Sequence, residues 1–354
     1  MKRQDGFSLV ELMVAIVLAL LLTGAVISVF IGSRTAYQAT AGIGEMSDSG
    51  RFALNLIGES VRSAGNLACN SAMSATNQNV VPGVSFTNNF GQGVQGFEAN
   101  GSGPAAALAL PANPVVGAAN NWTPNLDPAF TGATAAGPFG IPVQGSDVLV
   151  VRSSVPRVPP VYTTADVLPN ATTLLVTPVP ATATGFQYAA VSDCTKSVIF
   201  QVAGMAGGVV TLNAGLPGVG FSAGALVAPL TTTVYYIGTG CDGDTSLWRL
   251  EQVSGIAGFA QPEELVPDVE NMQVLYGIDT AGTQTASAYV TADQVGVINV
   301  VSIQVALLVA SQPTAKQVPA AAPYNLLGNA VTAPVDNRMR QVFYATVNLR
   351  DAVN

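Results

Sequence analysis

Three groups of residues carry side chains able to do chemistry. Cys69, Cys194 and Cys241 can pair in an oxidising compartment, where three thiols allow three single bonds and always leave one over. Asp242-Gly243-Asp244-Thr245-Ser246 offers oxygens of the kind calcium collects. It lacks the remaining acids of an EF-hand loop, so the competing reading of Asp242 and Asp244 is a plain turn in which glycine supplies a positive φ. Glu11 is a single carboxylate at the head of a long apolar run. The 354 residues include no histidine, which removes Ser-His-Asp and Cys-His catalysis, His-ligated zinc and the commonest general base. No G-x-S-x-G elbow is present, and the glycines between 204 and 208 lack the lysine of a phosphate-binding loop. The residues therefore point to no enzyme and no cofactor.

Composition narrows the class further. Hydrophobic residues make up 49% of the chain and charged residues 10%, the reverse of a disordered polyelectrolyte. With 13 Lys+Arg against 21 Asp+Glu the formal charge is -8, so no net cationic field draws the chain to nucleic acid.

The element that positions Glu11 is the most legible in the sequence. No residue from Leu12 to Ile31 is charged, and at 1.5 Å per residue about 20 residues cross a bilayer core of about 30 Å. Lys2 and Arg3 precede the run and place the N-terminus on the cytoplasmic side, with the rest of the chain outside. A cleaved signal peptide has a shorter apolar core and a small-residue site after it. A carboxylate inside a membrane segment costs roughly 2.5–3.5 kcal/mol, so Glu11 needs a partner. A plain signal anchor, with Glu11 held near the interface, is the simpler alternative.

Gly6-Phe7-Ser8-Leu9-Val10-Glu11 resembles the prepilin leader junction of the type IV pilin superfamily. The resemblance implies cleavage between Gly6 and Phe7 by a membrane prepilin peptidase, methylation of the new Phe7 amine, and retention of the apolar helix. The exposed amine of one subunit and Glu11 of its neighbour would then form a buried ion pair. Opposite charges attract strongly in low dielectric, and either one alone is expensive there.

Beyond the apolar run, Ile43, Met46, Ala53, Ile57 and Val61, with Gly50 filling the gap, keep a 3.6-residue period. One helix is expected from Ser8 to Ser63. Its segments are 1–6 (leader), 7–32 (membrane or filament core) and 33–65 (amphipathic, packed on a head). Residues 66–145 are rich in Gly, Asn and Pro and read as loops or an insertion with short strands, packed down by scattered aromatics. Residues 146–354 read as a β-rich head. Strands are expected at Asp147–Arg152, Thr172–Thr177, Ser197–Val202, Gly208–Asn213, Thr232–Ile237, Leu247–Glu251, Val269–Gly277, Asn299–Val309 and Arg340–Leu349. No amphipathic helix separates them, so the fold class is α+β: a pilin-like long helix on a large antiparallel sheet. Tyr235, Tyr236, Trp248 and Tyr276 are expected in its core.

Within this superfamily, Gly50-Arg51-Phe52-Ala53-Leu54, Ser192-Asp193-Cys194, Gln273–Asp279, Arg340-Gln341-Val342-Phe343 and Val347-Asn348-Leu349-Arg350 are similar to the PilW minor pilins. That resemblance implies a minor pilin that helps start type IV pilus assembly and sits at or near the tip. Its partners would be other minor pilins, the major pilin, a PilY-type tip adhesin, the prepilin peptidase and the inner-membrane assembly platform. It also implies a Cys69–Cys194 bond, with Cys194–Cys241 as the runner-up. The same leader serves the J-type pseudopilin of type II secretion, and a head that binds a surface directly is a further alternative. Replacing Gly6 with Ala should leave the six-residue leader in place, and intact mass of the membrane-extracted chain reads this directly.

Overall fold

The computed structural model describes residues 8–72, 76–155, 161–178, 186–252, 259–295, 299–313 and 323–350. Gly6 and Phe7 lie outside these described residues.

Helix α1 runs Leu9–Arg62, with Ser8 as N-cap and Ser63 as C-cap, so the sequence places both ends to within one residue. Its buried residues are Met46, Gly50, Ala53, Ile57 and Val61, spaced by three and four along one face, and Gly58 next to Ile57. Ile43, expected on that face, is half exposed, because the head begins one turn later. A second helix, α2, spans Pro128–Thr134. Asp127 caps it by accepting from the Ala129 amide at 2.8 Å.

A four-stranded antiparallel sheet lies under α1, in the order Ala288–Val290, Val269–Asp279, Asn299–Ala310, Arg340–Asn348. Val301, Ile303, Val305, Leu307 and Val309 alternate along the third strand and are all buried. The last four of them join Met46, Ala53, Ile57 and Val61 in one core cluster. A larger sheet carries Val148–Ser154, Leu226–Thr239 and Thr245–Glu251 as hydrogen-bonded neighbours. Every pairing within it is antiparallel except that of Gln78–Asn79 with Ser197–Ala206. Ser197–Ala206 and Val209–Leu212 form a hairpin that turns at Gly207-Gly208.

Residues 66–145 are not a detached insertion. Val94–Ala99 pairs with Val148–Ser154, inside the large sheet. Phe86, Phe97, Trp122, Leu126 and Phe130 pack with Val148, Val150, Tyr236 and Trp248 in a second core. Tyr235, Tyr236, Trp248 and Tyr276 are all buried.

Helix and sheet approach closely at Gly50, where an added Cβ would collide with the Phe343 ring. Gly50→Leu should therefore lower stability by about 1–3 kcal/mol through overpacking. Gly44→Ala faces open space and should raise it by up to about 1 kcal/mol through helix propensity. Denaturant unfolding of the two variants checks both signs.

Candidate assembly interface

From Leu9 to Gln38 every residue of α1 is exposed. Leu9 is 74% exposed, Leu22 70% and Phe30 67%, in a segment whose mean hydropathy reaches 2.9. This is the surface of a rod made to be covered by lipid or by other helices. Three of its hydroxyls fold back on the helix. Thr23 donates to the Ala19 carbonyl at 2.7 Å, Ser28 to Ala25 at 2.8 Å and Thr35 to Ile31 at 2.9 Å. They thereby satisfy themselves without water. Glu11 is different. It sits in the first turn of α1, where the helix dipole favours a carboxylate, and no described residue pairs with it. The rod thus presents one unmatched anion.

The other half of α1 is clamped. Ser60 and Tyr235 share a hydrogen bond of 2.6 Å, and the Gly65 amide donates to the Arg152 carbonyl at 2.8 Å. Cys69, just past the helix end, is bonded to Cys194 across 125 residues of chain. That bond excludes the Cys194–Cys241 alternative, and Cys241 is a free, exposed thiol. Cys194 sits in the turn Ser192–Lys196 with φ 66. Asp193 holds that turn by accepting from the Thr195 and Lys196 amides, both at 3.0 Å. Against the cost of partial burial, these bonds and those from the Thr195 hydroxyl and Lys196 ammonium hold the Asp193 carboxyl at about 2.

Asp242 and Asp244 come together with Asp268, one carboxylate oxygen of each within 4.8 Å of the others. A guanidinium supplies the counter-charge. Arg338 pairs with Asp244 at 2.8 Å and with Asp268, and its Nε donates to the Ser311 carbonyl at 2.9 Å. Beside it Arg340 grips Glu270 through two bonds of 2.6 and 2.9 Å and Asp336 through two of 2.9 and 2.6 Å. The acids tie the C-terminal strand to the start of Val269–Asp279, and Asp242 also accepts from the Asp244 amide at 3.2 Å as a turn residue does.

Residues 234–351, which hold the whole four-stranded sheet and this arginine cluster, match the family model of Type IV Pilus-assembly protein W. Residues 1–27 match the Prokaryotic N-terminal methylation motif. At both ends, therefore, the chain is similar to the PilW minor pilins of type IV pili. Among solved structures, a type IV-like pilin from Thermus thermophilus is 23% identical over 36% of this chain and 70% of that one, with a TM-score of 0.24. No curated protein matches the chain.

One site in the PilW-like head has no sequence signature. Asp147 is buried where the two sheets meet, accepting from the Ala99 amide at 2.9 Å on one side and the Val274 amide at 2.8 Å on the other. Glu98 lies beside it, accepting from the Ser102 hydroxyl at 3.2 Å and the Ala292 amide at 3.4 Å. Tyr276 is buried nearby, and a Cβ at Gly96 would collide with its hydroxyl. Burial, with the neighbouring carboxylate, pushes Asp147 well above the usual range. Burial pushes Glu98 up from 4.5 to about 7. Both groups are easier to ionise in the unfolded chain. Their penalty is absent below the unfolded value, grows as the pH rises and, for Glu98, is complete above about 7. The stability of the head should therefore fall between pH 4.5 and about 7. Glu98→Gln should flatten that slope in melting temperature against pH.

Proposed function

We propose that this PilW-like chain primes assembly of a type IV pilus and stays at or near the filament tip, as a structural subunit rather than a catalyst. The observation that carries the reading is the combination on α1: a bare apolar half, one unmatched carboxylate at its start, and a large head clamped to the other half. Removing the leader between Gly6 and Phe7 would create a charged amine, methylated at Phe7, at the end of that rod. In the inner membrane the N-terminus faces the cytoplasm and the head the periplasm, the compartment in which a Cys69–Cys194 bond persists. Residues 7–32 supply the membrane and filament segment, 33–65 the docked segment, and the remainder the head.

Assembly follows from the energetics of the two charges. The amine of a neighbouring subunit and Glu11 are each costly in an apolar bundle, and together they satisfy one another. The pair fixes the axial position of a subunit as it leaves the bilayer, while the apolar side chains supply contact area without register. The partners are other minor pilins and the major pilin through α1, and a PilY-type adhesin through the head.

Glu11→Ala should be processed normally, because cleavage acts on the other side of Phe7. It should then be at least about tenfold depleted from sheared filaments, since breaking a buried pair costs about 3–5 kcal/mol. Immunoblots of sheared and membrane fractions measure this, and undiminished recovery would refute the pairing.

A further inference from the structure

The last strand of the fold, Arg340–Asn348, is an edge. Among the described residues it pairs only with Asn299–Ala310, in continuous antiparallel register from Ser302↔Asn348 to Ala310↔Arg340. The Leu349 amide donates to the Val301 carbonyl and the Ser311 amide to the Met339 carbonyl. The alternation of an antiparallel ladder then fixes the rest. Odd-numbered residues from 341 to 347 turn their amides and carbonyls inward, and Val342, Tyr344, Thr346 and Asn348 turn theirs outward.

Folded proteins protect such edges with lysine, proline, bulges or inward charges. From Gln341 to Asn348 this strand has no charge and no proline, its register has no bulge, and Tyr344 stands 76% exposed. The strand also adjoins α1: Phe343 lies against Gly50, and Val347 against Gly58. A subunit whose helix packs beside α1 brings its head to this edge.

We infer that Arg340–Asn348 is a strand-addition site, and that its occupant is an extended, uncharged segment from the head of a different helix-anchored pilin subunit. This rests on the filament reading above for the placement of that neighbour. A second copy pairing antiparallel through this same strand does not fit. Pairing two copies of this strand antiparallel requires a two-fold axis normal to the sheet. The helix α1 lies flat on that sheet, so the axis would reverse it, and the two apolar halves could not enter one bilayer from the same side. The added strand bonds through main-chain groups at 342, 344, 346 and 348, as in other cases of β-augmentation.

The test uses the full-length chain, tagged and co-expressed in turn with each pilin subunit of its own organism that bears the same N-terminal junction, in detergent-solubilised membranes. One such subunit should co-purify. Tyr344→Pro and Thr346→Pro each delete an outward amide and leave the inward ladder whole, and should cut its recovery at least tenfold. Tyr344→Ala, which keeps the amide, should not. Retention of the Cys69–Cys194 bond reports that each variant has folded. Should the proline variants not fold, amide exchange of the wild-type chain decides, with 342, 344, 346 and 348 slowed at least tenfold by the partner. Undiminished recovery with both proline variants, or no slowing at these amides, overturns strand addition and leaves the filament reading standing. Co-purification of no pilin subunit overturns the site. So does oxidative homodimerisation of Thr346→Cys in a Cys241→Ser background, which would assign the edge to a second copy.

Discussion

An apolar helix that buries nothing of itself governs this molecule. Half of α1 carries leucine, valine, isoleucine and phenylalanine side chains on all sides and, among the described residues, is covered by no other part of the chain. Water is not a tolerable solvent for it. It is stable in a bilayer or in a bundle of its own kind, and transfer between those two apolar media costs little hydrophobic free energy. Specificity must therefore come from something other than greasiness. In the proposed assembly, the carboxylate of Glu11, out of place on such a rod, is the group that would tell one axial position from another.

Everything below that half serves to keep a large head fixed relative to the rod. Contacts are close where the helix meets the sheet: Gly50 admits the Phe343 ring, and small and branched residues alternate on both sides. The polar fastenings gather at the edges of this contact. Ser60 meets Tyr235, Arg340 holds Glu270 and Asp336, and Arg338 closes on Asp244 and Asp268. Tyr235 belongs to the apolar core beneath the helix, where an unsatisfied hydroxyl would be costly, and Ser60 satisfies it. The Glu98 and Asp147 carboxyls are held at the joint between sheets at an electrostatic cost that rises with pH.

Periodic features were legible in the sequence and long-range ones were not. The ends of α1 followed from Ser8, from the apolar period and from Ser63. The Asn299–Ala310 strand followed from its alternation. Tyr188–Ser192 escaped notice because Ala189 and Ala190 carry little strand signal, yet all five of its residues are buried. Leu226–Thr239 was read at half its length, since Pro229 argues against a central strand. Val94–Ala99 holds a glycine and a glutamate and looked like loop, although its place beside Val148–Ser154 makes it part of the sheet. Arg338 as the counter-charge to Asp244 had no sequence signal, because the two stand far apart in the chain and meet only through the fold. Residues 66–233 lie outside both family matches, and there the sequence offers local pattern and the short Ser192-Asp193-Cys194 motif.

The Cys69–Cys194 bond has a mechanical consequence. In the proposed position at the end of a fibre, the subunit would be pulled between its rod and whatever its head grips. Tension entering through α1 meets the helix-to-sheet contact first and then, past Arg62, a short tether that ends in a covalent link to the large sheet. Should the packed contact slip under load, that link is what keeps rod and head together, and a reducing environment would remove this last safeguard without altering the unloaded shape.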